Sequence, residues 1–144
     1  MNDSPRSPGD ERTLRFERRL AHAPEKVWRA VTEPEQLSQW YPFTVAELDP
    51  QLGGAIRFRD EEGTESRAEI TEFLPPKVFA FREHDEQTGT HELRFELEPD
   101  GEGCRLTFTH SFTDAFAQTP WAGQAETGWV HCLDALERAL AEAA

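Results

Sequence analysis

The sequence has few basic residues, few cysteines and no long apolar run. Fifteen Lys and Arg residues stand against twenty-eight Asp and Glu residues among 144, which gives a formal net charge of −13. Such a surface repels phosphate backbones and anionic membranes, so nucleic acid and membrane insertion are not expected. Nothing approaches the roughly 18 apolar residues of a membrane span, and residues 1–12 lack the apolar segment of a signal peptide. We therefore expect a soluble, cytoplasmic protein.

Motifs for metal, nucleotide and nucleophilic chemistry are also missing. Cys104 and Cys132 are the only cysteines, their spacing fits no metal site, and both are predicted to be small buried side chains. The five histidines form no His-x-x-x-His pair. There is neither a glycine-rich phosphate loop nor a Gly-x-Ser-x-Gly elbow. No metal, cofactor or catalytic residue is therefore assigned.

The C-terminal segment predicts a long amphipathic helix over residues 119–140. Thr119 is a good N-cap, and Pro120 suits the first helical position because its missing N–H would have no partner there. Apolar side chains recur every three or four residues, as on one buried face of a helix. They are Trp121, Ala125, Trp129, Cys132, Leu133, Leu136 and Leu140. A helix of this length, at 1.5 Å per residue, can cross a whole small domain.

The chain before this helix predicts one strand, two short helices and then a series of strands. Alternating residues 13–21 suggest the first strand, in which Arg18 interrupts the apolar face. Pro24 and Pro34 can each open a short helix. Further strands are predicted at 45–48, 55–59, 66–73 and 78–82, around Leu93, Phe95 and Leu97, and at 104–112.

The short connections between these strands favour antiparallel pairing, since parallel strands need crossovers of a dozen residues or more. One face of such a sheet must be covered, and only the C-terminal helix is long enough to cover it. The expected fold is α+β: a curved antiparallel sheet of six to seven strands wrapped around the last helix. Residues 1–12 are expected to be a disordered tail, and residues 13–144 a single domain.

Several segments together resemble a known superfamily. They are the run Ala23-Pro24-Glu25-Lys26-Val27-Trp28-Arg29-Ala30-Val31-Thr32-Glu33-Pro34 with Leu37 and Trp40, then Gly53-Gly54, residues 72–76, Leu106-Thr107-Phe108-Thr109-His110, Gly128-Trp129 and Leu133-Asp134-Ala135-Leu136. In order and spacing they are similar to START-like SRPBCC proteins, and within these to relatives of the activator of the 90-kDa heat-shock-protein ATPase. The resemblance covers roughly residues 13 to 143.

The resemblance implies the helix-grip fold, with a cavity between the sheet and the last helix. Members of the superfamily bind lipids, polyketides, hormones and other apolar molecules, and some are cyclases or hydrolases. It implies a small-molecule binding module for an apolar or amphipathic ligand. A chaperone-associated, stress-response protein that acts on a heat-shock ATPase is the first alternative, and a cyclase- or hydrolase-type enzyme is the second.

Two polar residues on predicted inner faces are candidates for contact with a ligand. His110 shares a strand face with Leu106 and Phe108, where a neutral imidazole could bond a ligand or act as a base; otherwise it is a core histidine bonded to a neighbouring side chain. Arg18 could pair with a ligand carboxylate. Its alternatives are a strand bulge, a snorkelling stem or a carboxylate partner within the protein.

Apolar and aromatic side chains complete the predicted lining of the cavity, although aromatic rings fill ordinary cores as often as they line ligand sites. Gly128 lies inside the predicted helix, where glycine often marks the close approach of another backbone, such as a packed strand, or of a ligand. The full set of predicted ligand-binding residues is Arg18, Trp40, Phe43, Phe58, Phe81, Phe95, Phe108, His110, Phe112, Trp121, Ala125, Trp129, Cys132 and Leu136.

Overall fold

A computed structural model describes residues 12–85, 89–113 and 122–142 of the chain. Seven strands and three helices follow one another in these ranges. They are β1 (Arg12–Leu20), α1 (Pro24–Thr32), α2 (Pro34–Leu37), β2 (Thr44–Leu48), β3 (Ala55–Arg59), β4 (Glu65–Leu74), β5 (Val78–Asp85), β6 (Gly89–Asp100), β7 (Gly103–Phe112) and α3 (Ala122–Glu142).

The strands form one antiparallel sheet in the order β1-β7-β6-β5-β4-β3-β2. From β2 to β7, each strand pairs with its neighbour in sequence, as short connections require. The first strand pairs with the last, and Phe16 lies opposite Phe108 in that pairing. Register shifts mark β2 near Val45 and β4 near Ile70, where bulges increase local twist and bend a strand. The predicted curved, antiparallel sheet of six to seven strands is confirmed.

The core lies between the inner face of the sheet and the helices. Phe58, Phe79, Phe81, Phe95 and Phe108 are at most 1% exposed, so four strands, β3, β5, β6 and β7, each contribute at least one phenyl ring to this face. Each ring lies within 6.2 Å, centroid to centroid, of another ring of this set. Offset and tilted arrangements at such distances are those that aromatic pairs prefer.

The two short helices begin at prolines, as predicted. Pro24 is the first residue of α1 and Pro34 the first of α2, where a missing N–H costs nothing. α1 buries Val27, Ala30 and Val31 against the sheet and is exposed on its other side. The indole N–H of the buried Trp40 donates a 2.9 Å hydrogen bond to the carbonyl oxygen of Ala30, which ties the two helices together.

The long helix α3 packs its predicted apolar face inward. Trp129, Cys132, Leu133, Leu136 and Leu140 are all buried. At 21 residues α3 spans about 32 Å at 1.5 Å per residue, enough to cross the sheet. The predicted start at Thr119 and Pro120 lies outside the described residues. No helix in the described ranges is long and apolar enough to cross a membrane.

Arg18 connects β1 to α3 with its guanidinium. Its Nη1 lies 2.8 Å from an oxygen of Asp134 and 2.5 Å from one of Glu137. The register between β1 and β7 runs without a shift past Arg18, so no bulge explains its place on the inner face. Of the alternatives predicted for Arg18, the structure therefore shows the pairing with carboxylates of the protein itself.

The prediction that Gly128 marks a close approach of another backbone is wrong. A Cβ built on Gly128 meets no atom of the described structure within 4 Å, and the residue is exposed on α3. Two other glycines do make a close approach: a Cβ would lie 2.1 Å from the carbonyl oxygen of Asp49 at Gly54, and 2.4 Å from that of Leu20 at Gly103. The predicted tail also lies outside the described residues, apart from Arg12, the first residue of β1.

Candidate functional site

A pocket of about 890 Å³ lies between one end of the sheet and the N-terminal half of α3. Its walls come from five parts of the chain. The loop after α2 contributes Tyr41, Pro42 and Phe43; the β3–β4 turn and the start of β4 contribute Asp60, Thr64, Glu65 and Ser66; β5 and β6 contribute Glu83, His91 and Leu93; β7 contributes His110; and α3 contributes Gln124, Ala125, Gly128, Trp129, His131 and Cys132. The pocket therefore lies between the sheet and the last helix, where the resemblance places a cavity.

A chain of hydrogen bonds runs from α3 into the sheet at the wall of this pocket. The indole N–H of Trp129 donates to Nδ1 of His110 at 3.0 Å. Nε2 of His110 lies 2.9 Å from Nδ1 of His91. All three side chains are buried, with 5% to 8% of their surface exposed.

The indole fixes the tautomer of both imidazoles, since an indole nitrogen can only donate. Nδ1 of His110 must therefore accept, and a neutral His110 carries its proton on Nε2. That proton is donated to Nδ1 of His91, so a neutral His91 carries its own proton on Nε2. Nε2 of His91 is therefore a hydrogen-bond donor.

His110 is neutral at physiological pH. Burial, and then the neighbouring charge of a protonated His91, lower the pKa of His110 from 6.5 to about 3. A proton added at Nδ1 would also point at the Trp129 N–H. With a structural partner on each ring nitrogen, His110 fits the interpretation of a buried, hydrogen-bonded histidine better than that of an acid or base.

Tyr41 also lines the pocket, with its ring centroid 5.7 Å from that of Trp129. Its ring stacks on Phe58 with centroids 5.3 Å apart, and the residue is 8% exposed. Burial, then the charges of Glu83 and Cys132, raise the pKa of Tyr41 well above 10. Its hydroxyl is therefore un-ionised. Burial also raises the pKa of Cys132, which leaves its thiol protonated and weakly nucleophilic.

The predicted ligand-binding residues divide into three groups by position. Phe43, His110, Ala125, Trp129 and Cys132 line the pocket. Buried away from its lining are Trp40, Phe58, Phe81, Phe95, Phe108, Phe112 and Leu136. Arg18 pairs with α3 instead of facing the pocket, and Trp121 lies outside the described residues. The inner face was predicted well, but most of its aromatic rings lie in the packed part of the core.

Several pocket residues were not predicted as ligand-binding, and two of them could have been found from the alternation of their strands. His91 continues the inner face of β6 two residues before Leu93, and Glu83 continues that of β5 two residues after Phe81. Both lie beyond the predicted ends of their strands. Tyr41 carries no such signal, because it lies in a loop after a short helix.

The residues that the structure describes form no metal site, because no three His, Cys, Asp or Glu side chains among them are placed to hold one ion.

The fold and the pocket define a class, the α+β proteins in which a curved antiparallel sheet grips a C-terminal helix. Residues 21–141 match the family of activator of Hsp90 ATPase homolog 1-like proteins. The chain therefore belongs to that family.

Solved structures support the same fold. Protein MLL2253 from Mesorhizobium loti superposes with a TM-score of 0.78 at 25% identity, over 92% of this chain and 99% of that one. The Aha1 dimer from Colwellia psychrerythraea superposes with a TM-score of 0.73 at 22% identity, over 89% of this chain and 95% of that one. At such identity the second likeness shows the fold alone. No curated protein sequence matches the chain.

Proposed function

We propose that the protein is a small-molecule binding module that holds an apolar or amphipathic ligand in the pocket between the sheet and α3. The observation that carries the proposal is the pocket itself. Its volume of about 890 Å³ lies within the range of roughly 300–1,000 Å³ that is usual for small-molecule sites. Apolar groups make up most of the lining surface, and residues such as Ser66, Gln124 and His131 add polar groups that could orient a ligand.

Two aromatic side chains of the pocket wall are held by contacts within the protein, which reduces the entropy lost on binding. Trp129 packs edge-on against Phe108, with centroids 4.6 Å apart, while its N–H is held by His110. Tyr41 rests on Phe58. These contacts fix two aromatic surfaces before any ligand arrives.

Ligand binding is testable by thermal unfolding and native mass spectrometry of freshly purified protein. A ligand that binds only the folded state at 100 times its Kd stabilises it by about 2.7 kcal/mol. For a domain of this size that corresponds to a rise in Tm of about 5 to 10 °C. We expect a shift with members of a lipophilic library; no shift across the library would contradict the proposal.

Two glycines of α3 provide a matched pair of variants. A Cβ at either Gly128 or Gly123 meets no described atom within 4 Å, but only Gly128 lines the pocket. Gly128→Leu should fill part of the pocket and abolish the ligand-induced shift. Gly123→Leu should retain it. Both changes raise helix propensity by a similar amount, so Gly123→Leu controls for the effect of the substitution on the helix, and the Tm of each variant without ligand checks that it is folded.

Family membership supports a second candidate, a chaperone-associated protein that binds a heat-shock ATPase through its surface. An ATPase assay with the 90-kDa heat-shock protein of the same organism tests this candidate. A change in ATPase rate that Gly128→Leu leaves intact would favour surface binding over the pocket. If the protein does not co-purify with the heat-shock ATPase and does not change its rate, this candidate is removed.

A further inference from the structure

The hydroxyl of Tyr41 is a buried polar group of the pocket wall. The residue is 8% exposed and lines the pocket, yet no hydrogen bond to this hydroxyl occurs within residues 12–85, 89–113 and 122–142. The buried indole and imidazoles of the same lining differ, because Trp129, His110 and His91 are bonded to one another. Buried hydroxyls normally have a partner, so we expect water or a ligand in the pocket to supply one here.

Packing fixes the ring that carries this hydroxyl. The ring centroid of Tyr41 lies 5.3 Å from that of Phe58, 6.3 Å from that of Phe81 and 5.7 Å from that of Trp129. These neighbours belong to β3, β5 and α3, so the ring is held between the sheet and the last helix. Because the phenolic oxygen lies on the axis of the ring, a fixed ring also fixes the position of that oxygen.

An apolar ligand would change the surroundings of the hydroxyl. A ligand that fills the pocket displaces the water that can bond to Tyr41. A hydrocarbon offers no partner in exchange, whereas a ligand with an acceptor oxygen restores the hydrogen bond. Sites with a buried polar group reject analogues that leave this group unpaired. The hydroxyl therefore discriminates among ligands of the same shape.

Charge narrows the kind of acceptor. The un-ionised hydroxyl can donate to a neutral oxygen or to a carboxylate. The charged residues Asp60, Glu65 and Glu83 of the lining are acidic, and neither Lys nor Arg occurs among its described residues. An anion would lose hydration there without gaining an opposite charge from these residues. A neutral carbonyl or ether oxygen avoids that cost.

We propose that Tyr41 determines the specificity of the pocket by donating a hydrogen bond to a neutral oxygen of the ligand. The pocket then takes apolar molecules that carry a carbonyl or ether oxygen in preference to hydrocarbons and carboxylates. This inference rests on the proposed small-molecule function and specifies the class of ligand. The apolar body of the ligand lies against Phe43, Leu93 and Trp129, which line the same pocket.

Three probes with the same naphthalene body test the inference: 1-acetylnaphthalene, 1-isopropylnaphthalene and 1-naphthoate. Binding to the purified full chain is measured by equilibrium dialysis at pH 7.5 and physiological salt. The ketone and the hydrocarbon differ in hydrophobicity, so the quantity compared between protein variants is the ratio of their two Kd values. On the unaltered protein, naphthoate should bind at least about tenfold more weakly than the ketone.

Two variants isolate the contribution of the hydroxyl. Tyr41→Phe retains the ring and removes the oxygen. It should weaken the ketone by about tenfold, and it should leave the hydrocarbon equally or more tightly bound, because no hydroxyl then stays unpaired. Thr64→Val is the matched control, since it removes an exposed hydroxyl from the same lining. It should leave the ratio of the two Kd values within about twofold.

Infrared spectroscopy of the bound ketone gives a second measurement, which needs no variant. The carbonyl stretch of 1-acetylnaphthalene on the unaltered protein should lie at a lower frequency than in an apolar solvent, because a hydrogen bond weakens the C=O bond. In Tyr41→Phe the frequency should return toward the apolar value. An apolar frequency on the unaltered protein would overturn the proposed hydrogen bond.

The outcomes distinguish this inference from the function on which it rests. If Tyr41→Phe leaves the ratio unchanged or weakens both neutral probes equally, the role of the hydroxyl is overturned and the binding function stands. Naphthoate binding as tightly as the ketone would overturn the preference for a neutral acceptor in the same way. Binding of none of the three probes would count against the pocket as a binding site.

Discussion

Acid should destabilise this protein through His110, and the size of the effect follows from its pKa. In the unfolded chain the imidazole titrates near 6.5, whereas in the folded protein its pKa is about 3. The unfolded state therefore binds the proton first, and stability that is present above pH 6.5 is lost as the pH falls toward 3. At pH 5 the loss is about 2 kcal/mol, from RT ln(1 + 10^1.5). The size of this loss is set by the pKa of the imidazole in the unfolded chain, because His110 in the folded protein is still neutral at pH 5.

The assay is urea unfolding, followed by tryptophan fluorescence, at several pH values between 5 and 7.5. His110→Gln removes the titrating group. The free energy of unfolding that this variant loses between pH 7 and pH 5 should be smaller by about 2 kcal/mol than the loss in the unaltered protein, whatever the variant's stability at pH 7. His84→Gln, at an exposed position of β5, should lose as much free energy of unfolding between pH 7 and pH 5 as the unaltered protein does. If unaltered protein and His110→Gln lose the same free energy of unfolding between pH 7 and 5, the assignment of a depressed pKa to this buried histidine is refuted.

Three other predictions concern stability and use the same unfolding assay. Arg18→Met should cost about 0.5–1 kcal/mol, because its carboxylate partners are about half exposed; a loss that high salt does not diminish would contradict an ionic origin. Trp129→Phe should cost about 1–3 kcal/mol through the imidazole nitrogen left without a donor, and more through lost packing; a neutral effect would contradict the hydrogen bond. Gly128→Ala should gain about 1 kcal/mol, since the site is open and helical. Gly54→Ala should destabilise instead, as its Cβ would lie 2.1 Å from the Asp49 carbonyl oxygen; similar effects of the two changes would refute this comparison.

Most of the fold could be predicted because its signals are local. Pro24 and Pro34 mark the starts of two helices, alternation locates the strands, and the spacing of apolar residues defines the buried face of α3. The ends of β5 and β6 were predicted too short, since Glu83 and His91 interrupt the apolar pattern while remaining on the inner face.

The pocket could be predicted only in part. Inward orientation was predicted correctly for His110 and Trp129, but the hydrogen bond between them joins residues 19 positions apart on different elements. Phe81 and Phe95 were predicted to contact a ligand and are packed in the core instead. Which inward-facing rings meet one another and which meet open space depends on how far the sheet and helix stand apart, and periodicity carries no such information.

By itself, the sequence determined which residues face inward, the antiparallel connectivity and the acidic character of the surface, because these follow from periodicity, loop length and composition. Only the tertiary structure decided that Arg18 pairs with α3, that an indole fixes the tautomers of two histidines, and that a carboxylate and a tyrosine hydroxyl share one pocket. The physical reason is that hydrogen bonds and charge interactions act over a few ångströms. They are set by how elements distant in sequence pack together.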